Sequence, residues 1–89
     1  MIVKTREATI INELGLHARS AAKIAKIAQN SKATVWIQKG DEQADASSII
    51  DILTLGCEKG TQITLIIENP ADLDILNNIF ELIANGFDE

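Results

Sequence analysis

The chain is 89 residues long, with 46% hydrophobic and 24% charged residues and a formal net charge of −5 at pH 7. That size suits one domain spanning residues 1–89, near the lower limit for a core that holds without staples, and the hydrophobic fraction excludes a disordered chain. The acidic balance, with Trp36, Phe80 and Phe87 as the only aromatics, provides neither a basic groove nor a stacking platform, so no nucleic acid is expected as a partner.

The elements follow in chain order. From Lys4 to Ile11 the chain is β-rich, with Arg6, Ala8 and Ile10 on one face and Thr5, Glu7 and Thr9 on the other, which predicts a strand broken by Leu14-Gly15. From about Ala18 to Asn30 the period turns helical, and Ala21, Ile24, Ala25 and Ala28 form an apolar stripe. Arg19, Lys23 and Lys26 line the opposite face, three of the chain's eight cationic side chains. In an acidic protein this is either a solvated face or a local positive field.

Ala33 to Gln38 predicts a second strand, with Val35 and Ile37 facing one way and Thr34 and Trp36 the other. Lys39-Gly40-Asp41-Glu42 reads as a tight turn into a short third strand around Gln43-Ala44. Ser48 followed by Asp51 resembles a capping box, opening a short helix that ends before Gly56. Gln62 to Glu68 alternates cleanly, with Ile63, Leu65 and Ile67 inward. Asn69-Pro70 supplies an N-cap with Pro at the first helical position. The last helix then runs to about Asn85, with Leu73, Leu76, Phe80 and Ile83 as its buried stripe and Gly86 as its stop. This order predicts an α+β fold: a four-stranded antiparallel sheet with three helices packed on one face, leaving Trp36 and Ile66 on the open face.

The chemistry concentrates in Gly15-Leu16-His17-Ala18-Arg19-Ser20-Ala21-Ala22. His17 follows an extended segment and directly precedes the first helix, where the free N–H groups of Ala18, Arg19 and Ser20 offer an anion site. Imidazole is also the side chain that keeps a neutral, nucleophilic fraction at neutral pH. With Arg19 two residues on, this suggests reversible phosphoryl chemistry on His17; a surface or structural histidine is the plainer alternative. One His and one Cys make no ligand cluster, so neither metal nor cofactor is expected. The lone Cys57 allows no intramolecular disulfide and suits a reducing, cytoplasmic compartment. No apolar run reaches the length of a membrane span, and the first residues lack a signal-peptide pattern.

Gly15-Leu16-His17-Ala18-Arg19 resembles the phosphorylation loop of HPr, the histidine-containing phosphocarrier family of the bacterial phosphoenolpyruvate-dependent phosphotransferase system. Ser48-Ile49-Ile50-Asp51-Ile52-Leu53-Thr54-Leu55-Gly56 resembles the segment holding that family's regulatory serine and second helix, and the resemblance extends over nearly the whole chain. It implies an HPr-like open-faced sandwich and a stoichiometric carrier rather than an enzyme. By this resemblance His17 takes a phosphoryl group on Nδ1 from enzyme I and passes it to an enzyme IIA-type acceptor, while Arg19 holds the phosphate. Ser48 would be the target of HPr kinase/phosphorylase where that enzyme exists. Ala22, Lys23, Lys26, Ile49, Ile50 and Leu53 would form the docking surface of a monomer.

Two other readings stand beside it. One is a regulatory relative in a nitrogen-type or truncated phosphotransferase chain, whose phosphorylation state is a signal. The other is a binding module for which His17 is incidental. Two positions depart from the family pattern. Ser20 stands where Pro usually follows the Arg, restoring an N–H and adding a hydroxyl expected to lie near the phosphate. Asp51 stands where many members carry a basic residue beside the docking surface.

Overall fold

Alternating burial along the extended segments and a 3.6-residue apolar period along the helices produce two layers. The computed structural model describes residues 2–89, so the first residue of the expected domain lies outside it. Strands β1 (Lys4–Thr9), β2 (Trp36–Lys39), β3 (Glu42–Asp45) and β4 (Gln62–Ile67) form one sheet in the order β1-β4-β2-β3, every pairing antiparallel. Helices α1 (Ala18–Ala28), α2 (Ile49–Thr54) and α3 (Leu73–Ala84) complete the α+β arrangement, with single 3-10 turns at Pro70–Asp72 and Gly86–Asp88.

The core lies between the layers. Ile10, Ile37, Ile63, Leu65 and Ile67 from the sheet side meet Ile24 of α1, Ile52 of α2 and Leu76, Ile79 and Ile83 of α3, all fully or nearly fully buried. Lys39 pairs with Glu42 across the β2–β3 hairpin. Its two-residue turn is Gly40-Asp41, and Gly40 takes φ +58°, the left-handed conformation such a turn demands.

Several boundaries differ from expectation. β1 ends at Thr9; Ile10 instead exchanges hydrogen bonds with the turn before β4, from Ile10 N–H to the Thr61 carbonyl at 2.9 Å and from Gly60 N–H to the Ile10 carbonyl at 2.7 Å. α1 stops at Ala28, short of Asn30. β2 begins at Trp36 and not at Ala33, because Asp72 takes the N–H groups of Lys32 and Ala33 at 2.8 and 3.1 Å. Those two residues are committed to a loop and cannot join the sheet ladder.

Asp72 also explains the largest correction. Asn69 Oδ1 does accept from Ala71 N–H at 2.8 Å with Pro70 in the first position, but that turn is 3-10 and α3 proper starts at Leu73. The inward residue at this junction is Asp72, 1% exposed, and Leu73 points out at 40% exposure. Ile79 takes the place in the buried stripe expected of Leu73. Phe80 is only half-buried and carries the Arg6 guanidinium 3.5 Å from its ring centre. Ile66 faces away from the helices as expected, yet it is 3% exposed. It sits in register between Thr5 and Trp36 on the neighbouring strands, whose side chains flank it.

Candidate functional site

The segment leading to His17 is fixed from below. Gly15 is buried at φ +66°, and a Cβ there would collide with the carbonyl oxygen of Cys57. Only glycine permits both that conformation and that approach. Leu16 N–H then donates to the same Cys57 carbonyl at 2.8 Å, binding the loop to the turn that follows α2.

His17 is the N-cap of α1, with extended backbone angles of φ −110° and ψ −178°. Its carbonyl accepts the first helical bond, from Ala21 N–H at 2.8 Å. The pairing with Ser20 is that of a capping box: the ring lies toward the Ser20 N–H without a full hydrogen bond, and Ser20 Oγ accepts from His17 N–H at 2.9 Å. Ser20 Oγ also lies 3.0 Å from the Gly15 carbonyl and 3.1 Å from the His17 carbonyl, so its single proton is shared between them. Ser20 is completely buried. The hydroxyl expected near a phosphate is therefore placed elsewhere: it ties the loop's own backbone together from beneath.

The ring itself has a partner that local sequence did not indicate. His17 Nε2 stands 2.8 Å from Glu89 Oε2. Glu89 Oε1 accepts from Asn12 Nδ2 at 3.0 Å, and Asn12 Nδ2 donates also to the Gly15 carbonyl at 2.8 Å. Lys23 Nζ donates to the Phe87 carbonyl at 2.6 Å, and Phe87 is fully buried, which anchors the segment carrying Glu89. The Asn12 hydrogen bond, ahead of the His17 contacts and the Lys23 charge, holds the Glu89 carboxyl below its ordinary range against a smaller opposing effect of burial. An ionised carboxylate only accepts, so Nε2 carries the ring proton and Nδ1 of the neutral ring carries the lone pair. Asn12 had a legible signal, since it continues the inward phase of Ala8 and Ile10 with a polar side chain. Glu89 had none.

The remaining candidate residues lie on α1 and α2. Ala18 and Arg19 are exposed in the first turn of α1, which contains no acidic residue to oppose an anion. Lys26 is exposed, Ala22 is half-buried, and Lys23 is half-buried and tied to Phe87. On α2, which packs against α1, Ile49, Ile50 and Leu53 are all exposed, Ile50 at 77%. Ser48 caps α2, its Oγ accepting from Asp51 N–H at 3.2 Å. The reciprocal half of the expected box is diverted: Asp51 Oδ2 accepts from Asp45 N–H at 3.2 Å, and Ser48 N–H goes to the Asp45 carbonyl.

Among the described residues there is no cluster of three or more His, Cys, Asp or Glu able to hold a metal, and no helix is long and apolar enough to cross a membrane. The arrangement combines an imidazole at the N-terminus of an eleven-residue helix with an exposed arginine in that helix's first turn, components able to accept a phosphoryl group.

A family model described as the PTS HPr component phosphorylation site matches residues 4–85. The chain is 42% identical over 85 residues to the phosphocarrier protein HPr of Pseudomonas putida, covering 94% of each chain. It is 38% identical over 84 residues to the phosphocarrier protein NPr of Shewanella violacea, covering 94% of this chain and 92% of that one. Among solved structures, HPr-C-His from Thermoanaerobacter tengcongensis is similar with a TM-score of 0.91 at 30% identity, covering 98% of both chains.

Proposed function

The chain belongs to the HPr family, and from that premise we propose that it is a stoichiometric phosphocarrier, one domain acting in the cytoplasm, which takes a phosphoryl group on Nδ1 of His17 from enzyme I and hands it to an enzyme IIA-type acceptor. The observation that carries this reading is the His17 ring at the start of α1, with Nε2 held by Glu89 and Nδ1 left as the lone-pair nitrogen. The Nδ1 lone pair attacks phosphorus as the bond to the donor imidazole breaks and its electron pair returns to the donor. Arg19 and the N–H groups of Ala18, Arg19 and Ser20 balance the charge of the phosphoryl oxygens, which is most of what such a transfer requires of a protein.

Docking uses Ala22, Ile49, Ile50 and Leu53 as an apolar centre, with Arg19, Lys23 and Lys26 as its cationic rim, an arrangement that suits a transient acidic partner. Ser48, at the edge of that surface, is the position for regulation by HPr kinase/phosphorylase. A regulatory carrier of the nitrogen type is the second reading, supported by the similarity to NPr. Offering the phosphorylated protein to sugar-type and nitrogen-type acceptors separates the two.

Incubation with phosphoenolpyruvate and enzyme I should place one acid-labile phosphate on the chain. His17→Ala should abolish it without changing the melting temperature, because the ring is partly exposed and belongs to no core cluster. An alanine variant that still takes the label would overturn the assignment.

A further inference from the structure

We propose that Glu89 is a positioning residue for phosphoryl release: its carboxylate keeps the Nε2 proton on the phosphorylated His17 ring, so that the ring departs from phosphorus as neutral imidazole. This rests on the reading that His17 carries the phosphoryl group.

The geometry is that of a fixed contact. One Glu89 oxygen meets Nε2 at 2.8 Å and the other meets Asn12 Nδ2 at 3.0 Å. Asn12 is 6% exposed, and its Oδ1 is buried with no hydrogen-bond partner among the described residues. An unmet buried acceptor is unfavourable; Asn12 tolerates it while both of its amide contacts, to Gly15 and to Glu89, come from the donor end. The backbone before Glu89 is set by the buried Phe87 ring, at φ +60°, and by the Lys23 ammonium on the Phe87 carbonyl.

The chemistry follows from where the proton sits. Before transfer the proton is on Nε2, so the Nδ1 lone pair is free to form the P–N bond. Once that bond exists the ring is an imidazolium bearing the phosphoryl group. When the acceptor nitrogen attacks phosphorus, the P–N electron pair returns to Nδ1 and the proton stays on Nε2. The leaving group is neutral imidazole, in the tautomer that began the cycle. If Nε2 were deprotonated first, the same step would expel imidazolate, a far poorer leaving group. A carboxylate on Nε2 opposes that deprotonation.

The other charged groups at this pair are Lys23 of α1, whose charge acts on Glu89, and Arg19 in the first turn of α1. Glu13 of the preceding loop is engaged by Lys59, and Asp88 is exposed beside Glu89. None of these touches Nε2.

The test compares the native chain with Glu89→Ala and Glu89→Gln after phosphorylation by phosphoenolpyruvate and enzyme I. The ring is titrated by 15N NMR, and phosphate loss from the isolated phosphoproteins is followed against pH. All three proteins should carry phosphate on His17. The Nε2 proton signal should persist to higher pH in the native chain than in either variant, because only the native carboxylate opposes its loss. Above both midpoints, phosphate loss should be faster in the native chain, since a larger fraction of it keeps that proton. Coincident titrations and rates, with the label still on His17, would overturn the role of Glu89 and leave the carrier reading intact. Label on another residue would overturn the carrier reading itself.

Discussion

Ser20 shows how much one atom can organise at a helix start. Its Oγ accepts from His17 N–H and shares its proton between the Gly15 and His17 carbonyls, in full burial. Ser20→Ala would leave the His17 N–H without a partner, while the Gly15 and His17 carbonyls keep Asn12 Nδ2 and Ala21 N–H; an unmet buried donor typically costs about 1–3 kcal/mol. In a domain of this size each kcal/mol lowers the melting temperature by roughly 4–8 °C. Thermal melts should show that loss, and phosphorylation by enzyme I should slow as the His17 backbone loosens. Ser20→Pro would stiffen the unfolded chain, a gain of roughly 0.4–1 kcal/mol, yet it loses the same contacts and should also fall below the native protein. An alanine variant as stable and as fast as the native chain would refute this account of the loop.

At the scale of elements, α2 separates frame from face. A six-residue helix cannot persist on propensity alone. It is held at its start by Ser48, at its end by Lys39 Nζ on the Leu55 and Gly56 carbonyls at 2.8 and 3.3 Å, and beneath by fully buried Ile52. On its outer side Ile50, 77% exposed, contributes nothing to that frame. Ser48→Ala should therefore lose about 1 kcal/mol. Ser48→Asp keeps an equally good cap and should stay within about 0.5 kcal/mol of native. The added negative charge beside Asp45 and Asp51 should nevertheless slow phosphorylation by an acidic enzyme I. Ile50→Glu should behave as Ser48→Asp does, with native stability and slower transfer. Urea denaturation beside transfer rates checks all three, and an Asp variant as unstable as the Ala variant would show that this helix start rejects charge.

For the molecule as a whole, what was legible in the sequence is what local spacing encodes. The alternation of β4, the stripe of α1, the helix start after His17 and the cap at Ser48 all depend on neighbours within a few residues. What was missed depends on residues far apart. Asp72 decides both the start of β2 and the facing of α3 through bonds to residues about forty positions away, and Glu89 reaches His17 across 72. Phe87 gave no periodic signal because it follows Gly86, beyond the last helical stripe.

The same whole-molecule view sets the pH range of stability. Glu13, through its hydrogen bond and charge pairing with Lys59, and Glu89, chiefly through Asn12, are both held below the ordinary 4.5. Their contribution is present above that value and is lost as pH falls through the lowered ones. Burial pushes the Cys57 thiol above its ordinary 9.0. The neutral thiol is thus favoured in the folded state, and that contribution, present below 9.0, is lost as pH rises through the raised value. Cys57→Ala should flatten the alkaline side of a urea-midpoint profile and leave the acid side unchanged. An alkaline limb identical to the native one would assign that loss to other groups.

The strand order β1-β4-β2-β3 places the first strand beside the last, Lys4 opposite Ile67. A chain emerging from the ribosome with only its first half made has no neighbour for β1, no Cys57 carbonyl to receive Leu16 and no Glu89 for the ring. Contacts of such long sequence separation close late, after the local helices have formed. The loop that carries His17 is thus synthesised early, yet the contacts that fix it, to the Cys57 carbonyl and to Glu89, are made by residues synthesised much later.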